Sequence, residues 1–127
     1  NAGSPVFAEL RGLVLKTVGL ADVLAEALAP VADQIEVAFV FGSMAEGTYR
    51  GQSDVDLLVI GEAGLRVLSP LLADAQLQLG RDINPATISP VELRKRLADG
   101  DHFISAVLGG PRIYVIGGDD ELAAAAR

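Results

Sequence analysis

The chain has 127 residues, half of them hydrophobic, which is enough for one domain with a single sizeable core. The absence of cysteine excludes disulfides, thiolate metal sites and a cysteine nucleophile. With 10 basic and 17 acidic residues the net charge is −7, so we expect no direct nucleic-acid binding by this segment. No apolar run approaches the roughly 18 to 20 residues of a membrane helix. The start of the sequence also lacks the pattern of a secretory signal. We therefore predict that the chain is cytoplasmic.

Helices are predicted for the first thirty residues. Ser4 and Pro5 are typical of a helix start, with an N-cap serine and proline at the first helical position. Apolar residues then recur at helical spacing, at Phe7, Leu10, Leu13, Val14 and Val18. Residues 21–29 predict a second helix, which ends before Pro30. Residues 1–30 therefore form a predicted N-terminal helical segment.

Strands and helices alternate in the remaining core, residues 31–127. Strands are predicted at 35–41, 54–60, 81–88 and 112–116. Between and after them, helical patterns cover 43–47, 64–79, 89–97, 101–108 and the end of the chain from Asp119. Pro85 limits the third strand to a sheet edge or a bulge. This order predicts a single α/β or α+β domain over 1–127, with a small mixed sheet packed against helices.

Two acids occupy alternate positions of the second predicted strand. Asp54 and Asp56 share one face, while Val55 and Leu57 point into the other layer. The Cα atoms of the two acids would lie roughly 6.5 to 7 Å apart, so both carboxylates can lean onto a hard cation. Mg²⁺ takes one or two carboxylates and completes its shell with water and substrate phosphates, and Mn²⁺ is the alternative.

A Gly-Ser pair ends the strand that precedes these acids. Gly42 allows close approach of the backbone to a phosphate, and Ser43 adds a hydroxyl donor at the start of a predicted helical turn. A phosphate cradle facing a metal site suits phosphoryl or nucleotidyl transfer. We therefore predict that this region binds a nucleoside triphosphate.

The sequence Gly42-Ser43, ten further residues, then Asp54-Val55-Asp56 resembles the signature of the minimal nucleotidyltransferases, a branch of the DNA polymerase β superfamily. The resemblance implies that the Gly-Ser turn binds the triphosphate and that the two acids bind Mg²⁺. It further implies transfer of a nucleoside monophosphate to a hydroxyl of a protein or a small molecule. In the loop before the acids, we also predict nucleotide contacts by Arg50 and Ser53.

The chain departs from the family pattern at two places. A third acid is usual on the next strand, where this chain has Asn84, and Asp82 lies two residues earlier on the same predicted face. Either Asp82 or Asn84 would then occupy the third catalytic position. A basic residue is common after the Gly-Ser turn, where this chain has Glu46.

Two longer stretches resemble a particular subgroup. Residues 5–20 and 79–97 are similar to nucleotidyltransferase-like domains fused behind winged-helix transcriptional regulators. The resemblance implies a DNA-binding domain before residue 1. It leaves a second function open, in which a catalytically weak domain binds nucleotide and signals to that DNA-binding domain. A third alternative is a homodimerisation module that uses the leucine-rich first helices.

Overall fold

The structure is a computed structural model that describes residues 19–47 and 54–127. The helix predicted to begin at Ser4 lies outside these residues, as does the predicted loop with Arg50 and Ser53. In the described part, a small mixed sheet packs against helices, which confirms the predicted fold class. No helix there has the length and apolar character required to cross a membrane.

The sheet has four strands in the order β3-β2-β1-β4. Their bounds are β1 Ile35–Phe41, β2 Val55–Gly61, β3 Ile83–Ile88 and β4 Ile113–Ile116. Strand β1 pairs antiparallel with β2 and β4, while β2 and β3 run parallel. The end of β1 and the starts of β2, β3 and β4 therefore meet at one end of the sheet, and the candidate site lies there.

The helices follow the predicted order. They are α1 at 19–28, α2 Ser43–Glu46, α3 Leu65–Leu79, α4 Pro90–Ala98, α5 His102–Gly109 and α6 Asp119–Ala126, with a 3₁₀ segment Ala29–Gln34 after α1. Side-chain caps explain two helix starts. The Ser89 hydroxyl accepts the Glu92 N–H at 3.1 Å, and the Asp101 carboxylate accepts the Ile104 N–H at 2.9 Å.

Both faces of the sheet are covered by helices. Alternate residues of β1 and β2 point to opposite layers, so each strand contributes to two apolar clusters. One cluster joins the sheet to α1 and α3, and includes Leu24, Val40, Leu57 and Leu72. The other joins it to α4, α5 and α6, and includes Phe39, Leu58, Leu93, Ile104 and Leu122. Strands buried on both faces explain the continuous apolar runs of the sequence.

Strand β3 lies at one edge of the sheet, as Pro85 predicts. In the parallel ladder, Pro85 and Ile83 direct their backbone nitrogens away from β2. The Gln76 side chain of α3 accepts the Ile83 N–H at 2.8 Å, and proline has no N–H to satisfy. The position of β3 fixes which of its polar residues faces the acids of β2.

Candidate functional site

The acids Asp54 and Asp56 lie at the start of β2. Asp54 immediately precedes the strand and is exposed, while Asp56 is half-buried. Val55 and Leu57 point to the opposite side, where both are fully buried in the cluster with α1 and α3. The alternation predicted from the sequence is therefore present, and both acids face the layer that contains α4, α5 and α6.

The turn after β1 lies directly against the second acid. Phe41 is the strand partner of Asp56, and the chain turns at the next residue, Gly42. Gly42 has φ 73° and ψ −152°, a backbone conformation that is essentially restricted to glycine. A Cβ at this position would lie 2.6 Å from Oδ2 of Asp56. Only glycine avoids this clash. Because Gly42 has no side chain, the Asp56 carboxylate can lie directly against the Gly-Ser turn.

Helix α2 begins at Ser43 and holds the turn in place. The Gly42 carbonyl accepts the N–H groups of Ala45 at 3.1 Å and Glu46 at 3.0 Å. Met44 is buried in the cluster with α1 and α3 and anchors the short helix to the sheet. The first N–H groups of a helix have no hydrogen-bond acceptor within the helix, and they therefore favour anions. The turn can therefore receive phosphate oxygens next to the two carboxylates.

Asn84 is the β3 residue that faces the acid pair. The parallel register places Asn84 opposite Asp56. Its side-chain nitrogen lies 3.2 Å from Oδ2 of Asp54 and 3.4 Å from Oδ1 of Asp56. One amide group thus donates to both carboxylates and offsets part of their mutual repulsion. Of the two residues predicted for the third position, Asn84 is therefore the one whose side chain lies against the acid pair.

Asp82 lies further out, before β3 begins. Its backbone carbonyl accepts the Val55 N–H at 2.9 Å, while its side chain is exposed. Asp82 and Asp54 line a cleft of about 310 Å³, which we call the polar cleft. The remaining lining residues are Ala73, Gln76, Leu77, Gly80 and Arg81. Asp82 therefore borders the acid pair from the β3 side.

The donor set suits a hard divalent cation shared with a phosphate ligand. Within residues 19–47 and 54–127, no three aspartate, glutamate or histidine side chains are close enough to hold one metal ion together. Asp54 and Asp56 offer two carboxylates on one face, and Mg²⁺ commonly takes one or two carboxylates plus substrate phosphates. The pair therefore fits a cation that arrives with a triphosphate.

A second pocket lies on the other side of the Gly42 turn. It has a volume of about 260 Å³ and mostly apolar walls, and we call it the apolar pocket. The rings of Phe41 and Phe103 meet edge to face there, with centroids 5.9 Å apart. Its full lining is Phe41, Gly42, Glu46, Phe103, Ala106, Val107, Gly110 and Pro111.

The apolar pocket was not predicted from the sequence. Phe103 belongs to α5, far along the chain from Phe41, and no local pattern connects the two rings. A signal in the sequence is the scarcity of aromatic residues, at 5% of the chain. The 47% exposure of Phe103 is known only from the structure. Glu46 is exposed and lines this pocket. The predicted nucleotide contacts Arg50 and Ser53 lie outside the described residues.

Known proteins share the sequence pattern and the fold of this chain. The sequence profile described as "Polymerase beta, Nucleotidyltransferase" matches residues 25–114. No curated protein sequence matches the chain.

Solved structures give the same fold. A toxin–antitoxin crystallised with AMP-PNP superposes with a TM-score of 0.57 at 15% identity, over 84% of this chain and 80% of the other. A mutant of the toxin–antitoxin MntA-HpeT gives a TM-score of 0.57 at 14% identity, with the same coverage. At such low identity the likeness shows a common fold.

Proposed function

The chain belongs to the polymerase β nucleotidyltransferase family, and we propose that it transfers a nucleoside monophosphate from a nucleoside triphosphate to a hydroxyl group. The acceptor would be a protein side chain or a small molecule. The packing of the Asp56 carboxylate against Gly42, where a Cβ would lie 2.6 Å from Oδ2, carries this proposal, because it brings the acidic strand and the proposed phosphate-binding turn together in one site. The AMP-PNP in the similar toxin–antitoxin structure supports a nucleotide ligand.

Each group in the site has a role in this proposal. Gly42 and Ser43 would hold the β- and γ-phosphates through the turn, and Asp54 and Asp56 would hold Mg²⁺ or Mn²⁺. When bound, the cation supplies the positive charge that an acidic site needs to accept a triphosphate. The acceptor hydroxyl forms a bond to the α-phosphorus, while the bond from this phosphorus to the pyrophosphate breaks on the opposite side. The proton of the hydroxyl passes to solvent or a nearby base.

A second function is favoured by Asn84. A neutral amide stands between the two carboxylates at the third acidic position. Two carboxylates suffice to hold the cation that accompanies a triphosphate, whereas a further cation beside the acceptor would need more negative charge. In this alternative the chain binds nucleotide and acts as a sensor, as in a regulator fused to a winged-helix DNA-binding domain. Asp82, the other residue predicted for this position, lines the polar cleft with Asp54.

Nucleotide binding and label transfer test the proposal together. Each labelled nucleoside triphosphate is incubated with the protein and Mg²⁺, and transfer to the protein itself and to candidate partners is followed. We expect Asp54→Asn/Asp56→Asn to weaken binding by about a hundredfold, because the cation that bridges protein and triphosphate loses both carboxylates.

The matched control is Asp22→Asn/Asp33→Asn, which removes the same charge from exposed positions in α1 and the 3₁₀ segment. It should bind as tightly as the wild type. Equal binding by the wild type and the Asp54→Asn/Asp56→Asn variant would contradict the assigned site. Binding without transfer to any acceptor would support the sensor function.

A further inference from the structure

The apolar pocket has the composition of a site for a flat heterocycle. Phe103 leaves 47% of its surface exposed, although burying an aromatic side chain is favourable. Together with Phe41, Val107 and Pro111 it gives apolar walls to a volume of about 260 Å³. This volume is just below the usual range for whole-ligand pockets. It would therefore hold part of a ligand, such as a nucleobase.

The apolar pocket is continuous with the phosphate-binding turn. Gly42 lines the pocket, and a Cβ at this glycine would lie 2.6 Å from Oδ2 of Asp56, so the turn lies between the pocket and this acid. Phe41 and Asp56 are direct strand partners on the same face of the sheet, and such partners have Cα atoms about 4.5 to 5.5 Å apart. A nucleotide whose phosphates lie at Gly42 and the acids therefore reaches the pocket with its base.

Glu46 gives the pocket a polar edge. A carboxylate beside the triphosphate would repel it. Glu46 instead lines the apolar pocket, next to the aromatic rings. A carboxylate only accepts hydrogen bonds, so it selects a partner that presents N–H groups. Guanine offers two adjacent N–H donors, adenine and cytosine offer an amino group, and uracil presents carbonyl oxygens on either side of its single N–H.

We propose that the apolar pocket binds the nucleobase of the triphosphate substrate, with Phe103 as its stacking surface and Glu46 as its hydrogen-bond acceptor. This inference rests on the proposed nucleotide-binding function and adds a specificity to it. Guanine is the preferred base, and uracil is the least favoured.

The test of Phe103 compares nucleotides with a ligand that has no base. Dissociation constants are measured with Mg²⁺ for non-hydrolysable analogues of all four nucleoside triphosphates and for inorganic tripolyphosphate. Phe103→Ala should weaken all four nucleotides about tenfold, because base stacking is lost, and leave tripolyphosphate unchanged. Phe103→Trp should retain nucleotide binding, whereas Phe103→Leu should not. Val91→Ala, which truncates a 69% exposed residue of α4, is the matched control and should have no effect.

The test of Glu46 uses the ratio between bases. Glu46→Gln replaces a pure acceptor by a group that also donates, so the preference for the GTP analogue over the UTP analogue should fall about tenfold. Tripolyphosphate should bind the variant as tightly as the wild type, or more tightly because a negative charge is lost.

Two results overturn the inference while the proposed function stands. In the first result, Phe103→Ala binds nucleotides as tightly as the wild type, while Asp54→Asn/Asp56→Asn still weakens binding. The other is equal weakening of tripolyphosphate and nucleotides, which would mean that Phe103 only supports the turn. If the wild type binds no nucleoside triphosphate, both the inference and the proposed function are wrong.

Discussion

The two sides of the acid pair differ in chemistry. On the β3 side, the polar cleft is lined by Asp54, Asp82 and Gln76. On the β1 side, beyond Gly42, the apolar pocket is lined by Phe41 and Phe103. The two cavities are similar in size, at about 310 and 260 Å³, so their difference lies in the side chains that line them.

If the chain transfers a nucleotide as proposed, this difference would give each side a separate part in the reaction. In-line displacement places the attacking hydroxyl and the leaving pyrophosphate on opposite sides of the phosphorus. With the pyrophosphate at Gly42 and Ser43, as proposed, the hydroxyl would approach from the β3 side, through the polar cleft. The apolar pocket would then receive the base. The polar cleft would thus select the acceptor, and the apolar pocket would select the nucleotide.

Among the single substitutions that separate the two sides, the largest effect is expected where the sides meet, at Gly42→Ala. An alanine there adopts a glycine-only conformation, which costs about 1–3 kcal/mol, and its Cβ displaces the Asp56 carboxylate. Thermal unfolding should show the loss of stability, and nucleotide titration should show binding weakened by more than about tenfold.

Gly109→Ala is the control for Gly42→Ala, because a Cβ at Gly109 meets nothing within 4 Å. It should keep nucleotide binding and change the free energy of unfolding by less than about 1 kcal/mol. Wild-type stability and binding in Gly42→Ala would show that the acid and the turn need not touch.

A smaller effect is expected on the polar side, from Asn84→Asp. The change places a third carboxylate opposite Asp56 and raises the negative charge available to metal ions beside the acceptor. Label transfer should become about tenfold faster, while the affinity of the apolar pocket for the base is unchanged. Gln78→Glu, on the exposed surface of α3, adds the same charge away from the acids and should leave the rate unaltered. A rate that Asn84→Asp does not change would favour the sensor function.

The smallest effect is expected from Asp82→Asn. In the described residues Asp82 does not join Asp54 and Asp56 in a group able to hold one metal ion. Titration with Mn²⁺ should therefore show a dissociation constant within about twofold of the wild type. A loss of fivefold or more, with Asp33→Asn unaffected, would make Asp82 the third acid and would assign a metal-binding role to the polar cleft.

Features that depend on local pattern were predictable from the sequence. Strand β1 matches its predicted bounds because its run of apolar residues ends abruptly at Gly42. Helix α4 begins where Ser89 and Pro90 predict, since the Ser89 hydroxyl caps the first turn. The shared face of Asp54 and Asp56 was predictable because side chains alternate along a strand.

Features that depend on contacts between distant elements were not predictable. Whether Asn84 or Asp82 faces the acids follows from the register of β3 against β2, which the sequence of β3 alone does not specify. The apolar pocket requires α5 to pack across the end of β1, which brings Phe103 to Phe41. The sequence contains both phenylalanines but no spacing that relates them.

The edge of β3 also affects how the molecule meets its neighbours. A strand of another chain can pair with an open strand edge, and such pairing is a common route to aggregation. With the N–H of Ile83 bonded to Gln76 and none at Pro85, this edge offers a poor template for such pairing. The residues on either side of Asn84 thus disfavour strand addition next to the acids.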